Sequence, residues 1–177
     1  DYTISDGRYR FAKVFGGLNW NSELVSPLTE PGVDVEAGEY LLAVNGTDLL
    51  APDNLYRHFE NTAGRIVEIT IGPNPSLDGS RTVNVVPIET EYALRNRDWV
   101  EGNIKKVDAA TGGRVAYVYV PNTTTLGHTY FKRYFFPQVA KDAIIIDERF
   151  NGGGQIADYY INILQRPYIS HWNMRYG

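Results

Sequence analysis

Ala143-Ile144-Ile145-Ile146-Asp147-Glu148-Arg149-Phe150-Asn151-Gly152-Gly153-Gly154 is the stretch on which the fold turns. Its apolar start reads as a buried strand. The strand runs into three consecutive glycines, and a helix opens at Gln155-Ile156-Ala157-Asp158. A junction of this kind presents bare backbone N–H groups to an anion. The same donors can hold the oxyanion that forms in acyl transfer. A phosphate-cradling loop is the competing chemistry, but the Lys-Ser/Thr pair that it needs is absent and the spacing differs. A conformational reading also exists, in which the glycines serve a turn with positive φ and close helix–strand packing.

Working outward, the second half alternates strands and helices. Glu89 to Asp108 has a helical pattern, stopped by Gly112-Gly113. Val115 to Val120 is a strand with apolar groups on both sides, and Thr123 to Val139 is a second helix, rich in aromatics at Tyr130, Phe131, Tyr134 and Phe135. Strand, helix, strand, helix with apolar strands implies parallel pairing. The first half is different in texture. Ser5-Asp6-Gly7 looks like a hairpin turn between Asp1 to Ile4 and a strand from Arg8 to Phe15. Tyr40 to Val44 is a short buried strand ended by Asn45-Gly46, and Pro52-Asp53 opens a helix with Leu55, Tyr56 and Phe59 on one face. Arg65 to Ile71 and Ser80 to Ile88 complete the set of strands. The boundary between the halves is expected at about Glu89–Glu91.

Bulk composition narrows the chemistry. The net charge of −4 and the lack of any basic stripe beyond Lys105-Lys106 argue against a nucleic-acid partner. With no cysteine in the chain, thiol catalysis, disulfides and thiolate metal sites are excluded. His58, His128 and His171 form no metal-ligand spacing, so no metal and no cofactor are expected. No apolar run is long enough to cross a bilayer, and no membrane partner is expected. A chain that opens at Asp1 is expected to be a mature form or a piece of a longer one.

Two sets of motifs carry a family resemblance. Ser26-Pro27-Leu28-Thr29-Glu30-Pro31-Gly32-Val33, followed by Gly38-Glu39-Tyr40-Leu41-Leu42-Ala43-Val44-Asn45-Gly46, resembles bacterial PDZ domains, with Glu39 where Asp is usual. Tyr92 to Val100, Val115 to Pro121 and Asp147 to Gly154 resemble the tricorn protease family, serine peptidases related to the carboxy-terminal processing peptidases. The resemblance covers essentially the whole chain. It implies a mixed fold: a small β-rich PDZ-like domain with a helix over residues 1–90, then over residues 91–177 the start of an α/β (βαβ) peptidase domain.

The same resemblance implies roles for residues. Gly154 or Gly153 supplies an oxyanion-hole N–H. Gly152, Asn151 and Trp172 contact substrate, and Tyr2, Thr3 and Ile4 form the strand to which a peptide adds in the PDZ groove. The family's serine lies in a motif like Asn-Glu-x-x-Gly-Ser-x-Gly-Asp, which does not occur here, and its base histidine precedes the PDZ module. The chain therefore resembles an internal piece of a peptidase, inactive alone. His171, Trp172 and Asn173 place no acidic group beside the scissile bond, so no strong preference for basic side chains is expected.

The resemblance implies a peptide or protein partner, and the thirteen tyrosines leave room for a homo-oligomer interface. A non-catalytic peptide-binding module is the alternative function. Two further arrangements are weighed on chemistry alone. Ser170-His171 is not a dyad, because adjacent extended residues point opposite ways. Asp147 and Arg149 are expected to pair with each other rather than react.

Overall fold

The computed structural model of this chain describes residues 1–167 and Ile169. These fall into two compact units, residues 1–99 and the described residues from 100 onward. The division lies inside a helix, between Trp99 and Val100.

The first unit is built on an antiparallel sheet. Its strands are β1 (Tyr2–Ser5), β2 (Arg8–Phe11), β3 (Tyr40–Val44), β4 (Thr47–Asp48), β5 (Val67–Gly72) and β6 (Arg81–Val85). They lie in the order β1-β2-β3-β5-β6, with β4 folding back on β3. Asp6 and Gly7, at φ 53° and 75°, close the first hairpin, as Asn45 and Gly46 close the β3–β4 turn at 48° and 73°. Both are pairs of positive φ that suit a tight hairpin of right-handed twist. Every residue of β3 is buried, which suits a central strand. Tyr9, Leu41, Val44, Val67, Ile69 and Ile71 are the heart of the core, with Leu55 and Phe59 packed against it.

Two expectations are corrected here. The strand from Arg8 stops at Phe11 and does not reach Phe15, because its partner ends: Tyr2 pairs with Phe11. Beyond that, the Ala12 and Lys13 amides both turn to the Asp1 carbonyl. The helix expected from Pro52-Asp53 is only a short 3₁₀ segment, Leu55–Phe59, capped by the Asn54 side chain. Glu60, at ψ 128°, turns extended and ends it. Leu55 and Phe59 turn to the core, whereas Tyr56 is 68 % exposed and does not share their face.

The second unit holds β7 (Val115–Tyr119), α2 (Thr125–Phe135), β8 (Ala143–Asp147) and α3 (Ala157–Leu164); α1 (Tyr92–Thr111) crosses the division. Gly112 and Gly113, both at positive φ, end α1. β7 and β8 pair in parallel, Val115 opposite Ala143 through Tyr119 opposite Asp147. This is a βαβ arrangement. Phe131 is its apolar pivot: fully buried, it lies 4.8 Å from the Tyr160 ring and 4.9 Å from the Phe135 ring, centre to centre. Pro137 cuts α2 short of Val139 by turning its end into a 3₁₀ segment, Phe136–Gln138. β8 is less buried than its sequence implies. Ile145 is 45 % exposed, and among the described residues β7 is the partner that β8 has.

Candidate functional site

Beyond β8 the chain leaves the ladder and then rejoins it. Asp147 still accepts from the Val120 amide at 2.9 Å. Glu148 to Asn151 then loop out, closed by the Asn151 amide on the Glu148 carbonyl at 3.0 Å. The Gly152 amide returns to the Pro121 carbonyl, and Gly154 forms a parallel bridge with Thr123. In that bridge the Gly153 carbonyl takes the Thr123 amide, and the Gln155 amide reaches the Thr123 carbonyl. Successive peptide groups of an extended chain point to opposite edges. The Gly154 N–H therefore points away from Thr123.

The donors of this turn are unequal. Gly152 donates to Pro121 at 3.0 Å, Gln155 to Thr123 at 2.9 Å and Ile156 to Thr123 at 3.0 Å. The Gly153 amide donates to Asn151 Oδ1 at 2.7 Å. Among the described residues Gly154 alone in this run of five has an N–H with no internal acceptor, and it is exposed. A glycine is required there on two counts. Its φ is 140°, and a Cβ would overlap the Thr123 carbonyl.

The Asn151 side chain organises the turn. Its Nδ2 donates to the Val120 carbonyl at 3.1 Å while its Oδ1 takes the Gly153 amide. Both ends of the side chain are thus used within the loop. Trp172, with His171 and Asn173, lies outside the described residues.

Asp147 anchors the other side of the loop. The carboxylate is only 8 % exposed. It accepts from Arg149 Nε at 2.9 Å and Nη2 at 2.5 Å, from the Tyr117 hydroxyl at 2.5 Å and from the Arg149 amide at 2.9 Å. The expected Asp147–Arg149 pair is thus present, and Tyr117 joins it. The Arg149 guanidinium, against the opposing effect of burial, holds the Asp147 pKa down to about 2, helped by Tyr117. Burial, with the Asp147 acceptor, pushes Tyr117 up to about 12. A cavity of about 660 Å³ opens beside this network, lined by Asn103, Lys106 and Glu148 among others.

A pH dependence follows from the depressed carboxyl. Its stabilisation is fully present above about pH 4 and is lost as pH falls toward 2, and it amounts to about 2 kcal/mol. Urea midpoints of this chain and of Asp147→Asn, compared at pH 6 and below pH 3, are expected to converge as the pH drops. A gap of the same size at both values would contradict this.

The expected peptide strand of the first unit is an edge strand. Tyr2, Thr3 and Ile4 pair with Phe11, Arg10 and Tyr9 on one side, and β1 ends the sheet order on the other. Within this unit a groove of about 840 Å³ is lined by Tyr2, Tyr9, Phe11, Leu28, Leu55 and Tyr56 among others. Tyr2 spans toward the 3₁₀ segment, its hydroxyl 3.3 Å from that of Tyr56. Tyr2 borders the groove; Thr3 and Ile4 are not part of its lining.

Residues 1–90 match the family model of the tricorn protease PDZ domain. The chain belongs to the tricorn protease family. It is 28 % identical over its whole length to the tricorn protease of Thermoplasma acidophilum, of which it covers 16 %. It is 30 % identical over 158 residues to the tricorn protease homolog of Saccharolobus solfataricus, covering 89 % of this chain and 14 % of that protein. It is 32 % identical over 173 residues to the putative tricorn protease homolog 2 of Streptomyces coelicolor, covering 96 % and 14 %. A crystal structure of the tricorn protease superposes with a TM-score of 0.85 at 28 % identity, over all of this chain and 17 % of that one. The chain thus spans about one sixth of the tricorn relatives that it matches.

Three residues that build this turn carry weaker signals in the sequence. Thr123 holds the glycine turn through both backbone groups. Asn122 Oδ1 accepts from the Thr124 amide at 3.1 Å and the Gly127 amide at 2.8 Å, fixing the start of α2. The signal was present in Asn122-Thr123-Thr124-Thr125, a run of residues that favour helix caps. Tyr117 gave no such signal, since nothing in a strand pattern reveals which hydroxyl meets which carboxylate.

Proposed function

We propose that this chain is part of a serine endopeptidase and supplies one donor of its oxyanion hole, the Gly154 amide. The observation that carries this is that, among the described residues, the exposed Gly154 N–H is the one amide from Gly152 to Ile156 with no internal acceptor. A donor fixed in advance stabilises charge as it develops, with no reorganisation during the reaction. A serine oxygen, supplied by sequence outside this chain, attacks the peptide carbonyl. Its proton passes to a histidine base, also outside, and then to the leaving amine. The carbonyl oxygen becomes an oxyanion and accepts from Gly154. Gly153 is the poorer donor of the two, because Asn151 already holds its N–H. Residues 91–177 are read as the opening of the catalytic domain. The apolar edge at Ile145 supports this, since parallel sheets are ordinarily covered on both faces.

In the same reading, the first unit is a PDZ module to which an extended peptide adds along β1, above the apolar groove. The non-catalytic binding module remains the second reading, and the same groove favours it.

An activity-based phosphonate that captures activated serines separates the two. The longer protein is expected to take up the label and to lose peptide hydrolysis with it, while this chain alone takes up none. Stable labelling of this chain, or hydrolysis by the longer protein that survives full labelling, would refute the assignment.

A further inference from the structure

Buried polar side chains ordinarily find their hydrogen-bond partners inside the protein. Among the described residues the buried polar or charged ones are Ser26, Thr123 and Asp147. The Ser26 hydroxyl donates to the Phe15 carbonyl at 2.7 Å, and Asp147 accepts from Tyr117 and Arg149. The Thr123 hydroxyl has no hydrogen-bond partner among the described residues, although the residue is only 9 % exposed. No side-chain oxygen in this set is cut off from solvent without a partner, so the small exposed part of Thr123 includes its hydroxyl. An unspent donor thus stands open on an otherwise covered residue.

This hydroxyl lies at the glycine turn. Thr123 is the bridge partner of Gly154, and a Cβ built on Gly154 would come within 2.8 Å of Thr123 Oγ1. Side chains stand off the face of a ladder, whereas peptide N–H groups lie in its plane. The hydroxyl and the Gly154 N–H therefore leave the bridge in different directions and do not meet on one oxygen. We infer that the Thr123 hydroxyl binds the main chain of the peptide substrate, donating to the carbonyl one residue along from the one that Gly154 receives. This rests on the peptidase reading given above. An extended peptide advances about 3.3–3.6 Å per residue, so adjoining carbonyls suit two donors placed on neighbouring strands. A contact shared by the bound substrate and the transition state changes KM and leaves kcat in place.

The test uses the full-length peptidase carrying Thr123→Val, which keeps the shape and removes the hydroxyl, and Thr123→Ser, which keeps the hydroxyl. Each protein is first labelled with the serine-directed phosphonate. Thr123→Val is expected to melt no lower than the parent, since no group inside the protein loses its partner. It is expected to lower kcat/KM by about 5- to 10-fold, through KM, the size of one neutral hydrogen bond. Thr123→Ser is expected to recover most of that loss. A trans-alkene in place of the peptide bond on either side of the scissile one removes a substrate carbonyl. At one of the two positions it should cost the parent about 5- to 10-fold more than it costs Thr123→Val. Unchanged kinetics in a Thr123→Val protein that labels as the parent does would overturn the inference and leave the peptidase reading standing. So would a loss accompanied by a lower melting temperature, with equal alkene effects in the two proteins, which would mean that the hydroxyl bonds another part of the protein. A parent that takes no label removes the peptidase reading, and this inference with it.

Discussion

Alanine at Gly127 is expected to destabilise the βαβ unit by about 3 kcal/mol, the upper end for overpacking a close contact. Gly127 lies in the first turn of α2 and is buried. Its own amide donates to Asn122 Oδ1 at 2.8 Å. A Cβ built on it would overlap the Asn122 carbonyl and come within 2.9 Å of the Tyr160 hydroxyl. Neither neighbour can yield cheaply. The carbonyl is backbone, and the Tyr160 ring is wedged against Phe131 in the centre of the unit. The helix must therefore retreat from the β7–α2 turn. The Asn122 cap would be lost with it, and the Thr123 groups that hold the glycine turn would shift. Urea unfolding of this chain, followed by the near-UV signal of its tyrosines, should show the midpoint fall by about 1–2 M. A midpoint within error of the parent chain would show that the close approach of α2 is not required.

Much of this architecture was legible from residue patterns. The Asn45-Gly46 and Asp6-Gly7 turns demand positive φ, and the structure places them there. The apolar runs at Val115 and Ala143 implied parallel pairing, and they pair in parallel. Less legible were the lengths of elements. β2 ends where its partner ends, a long-range fact that the run from Arg8 to Phe15 does not contain. The segment after Pro52 is a 3₁₀ turn that Glu60 ends by turning extended, which its neighbours in sequence permit but do not require.

The site shows the same division. Three glycines announced a turn with backbone donors, and the Asp147–Arg149 spacing announced their pairing. Which amide stays open was beyond a pattern reading. Gly152 and Gly153 look the same in a line of text, yet Pro121 claims one N–H and Asn151 the other. Only the geometry of the return to Thr123 decides it. The exposure of Phe150 was equally hidden, since an aromatic beside an apolar strand reads as core.

Removing the Gly154 N–H without moving an atom around it is the most direct test of the central claim. Alanine will not serve, because its Cβ would overlap the Thr123 carbonyl and distort the turn. Glycolate at this position replaces the peptide N–H by an ester oxygen and keeps the glycine conformation. In the full-length peptidase this substitution is expected to lower kcat by about 10²–10³, the usual cost of losing one oxyanion donor. KM should change little, because the ground-state carbonyl gains less from the donor than the oxyanion does. The same ester at Gly153 removes an amide already bound to Asn151 and should cost far less in kcat. A full rate with glycolate at 154, or an equal loss at 153 and 154, would contradict the account.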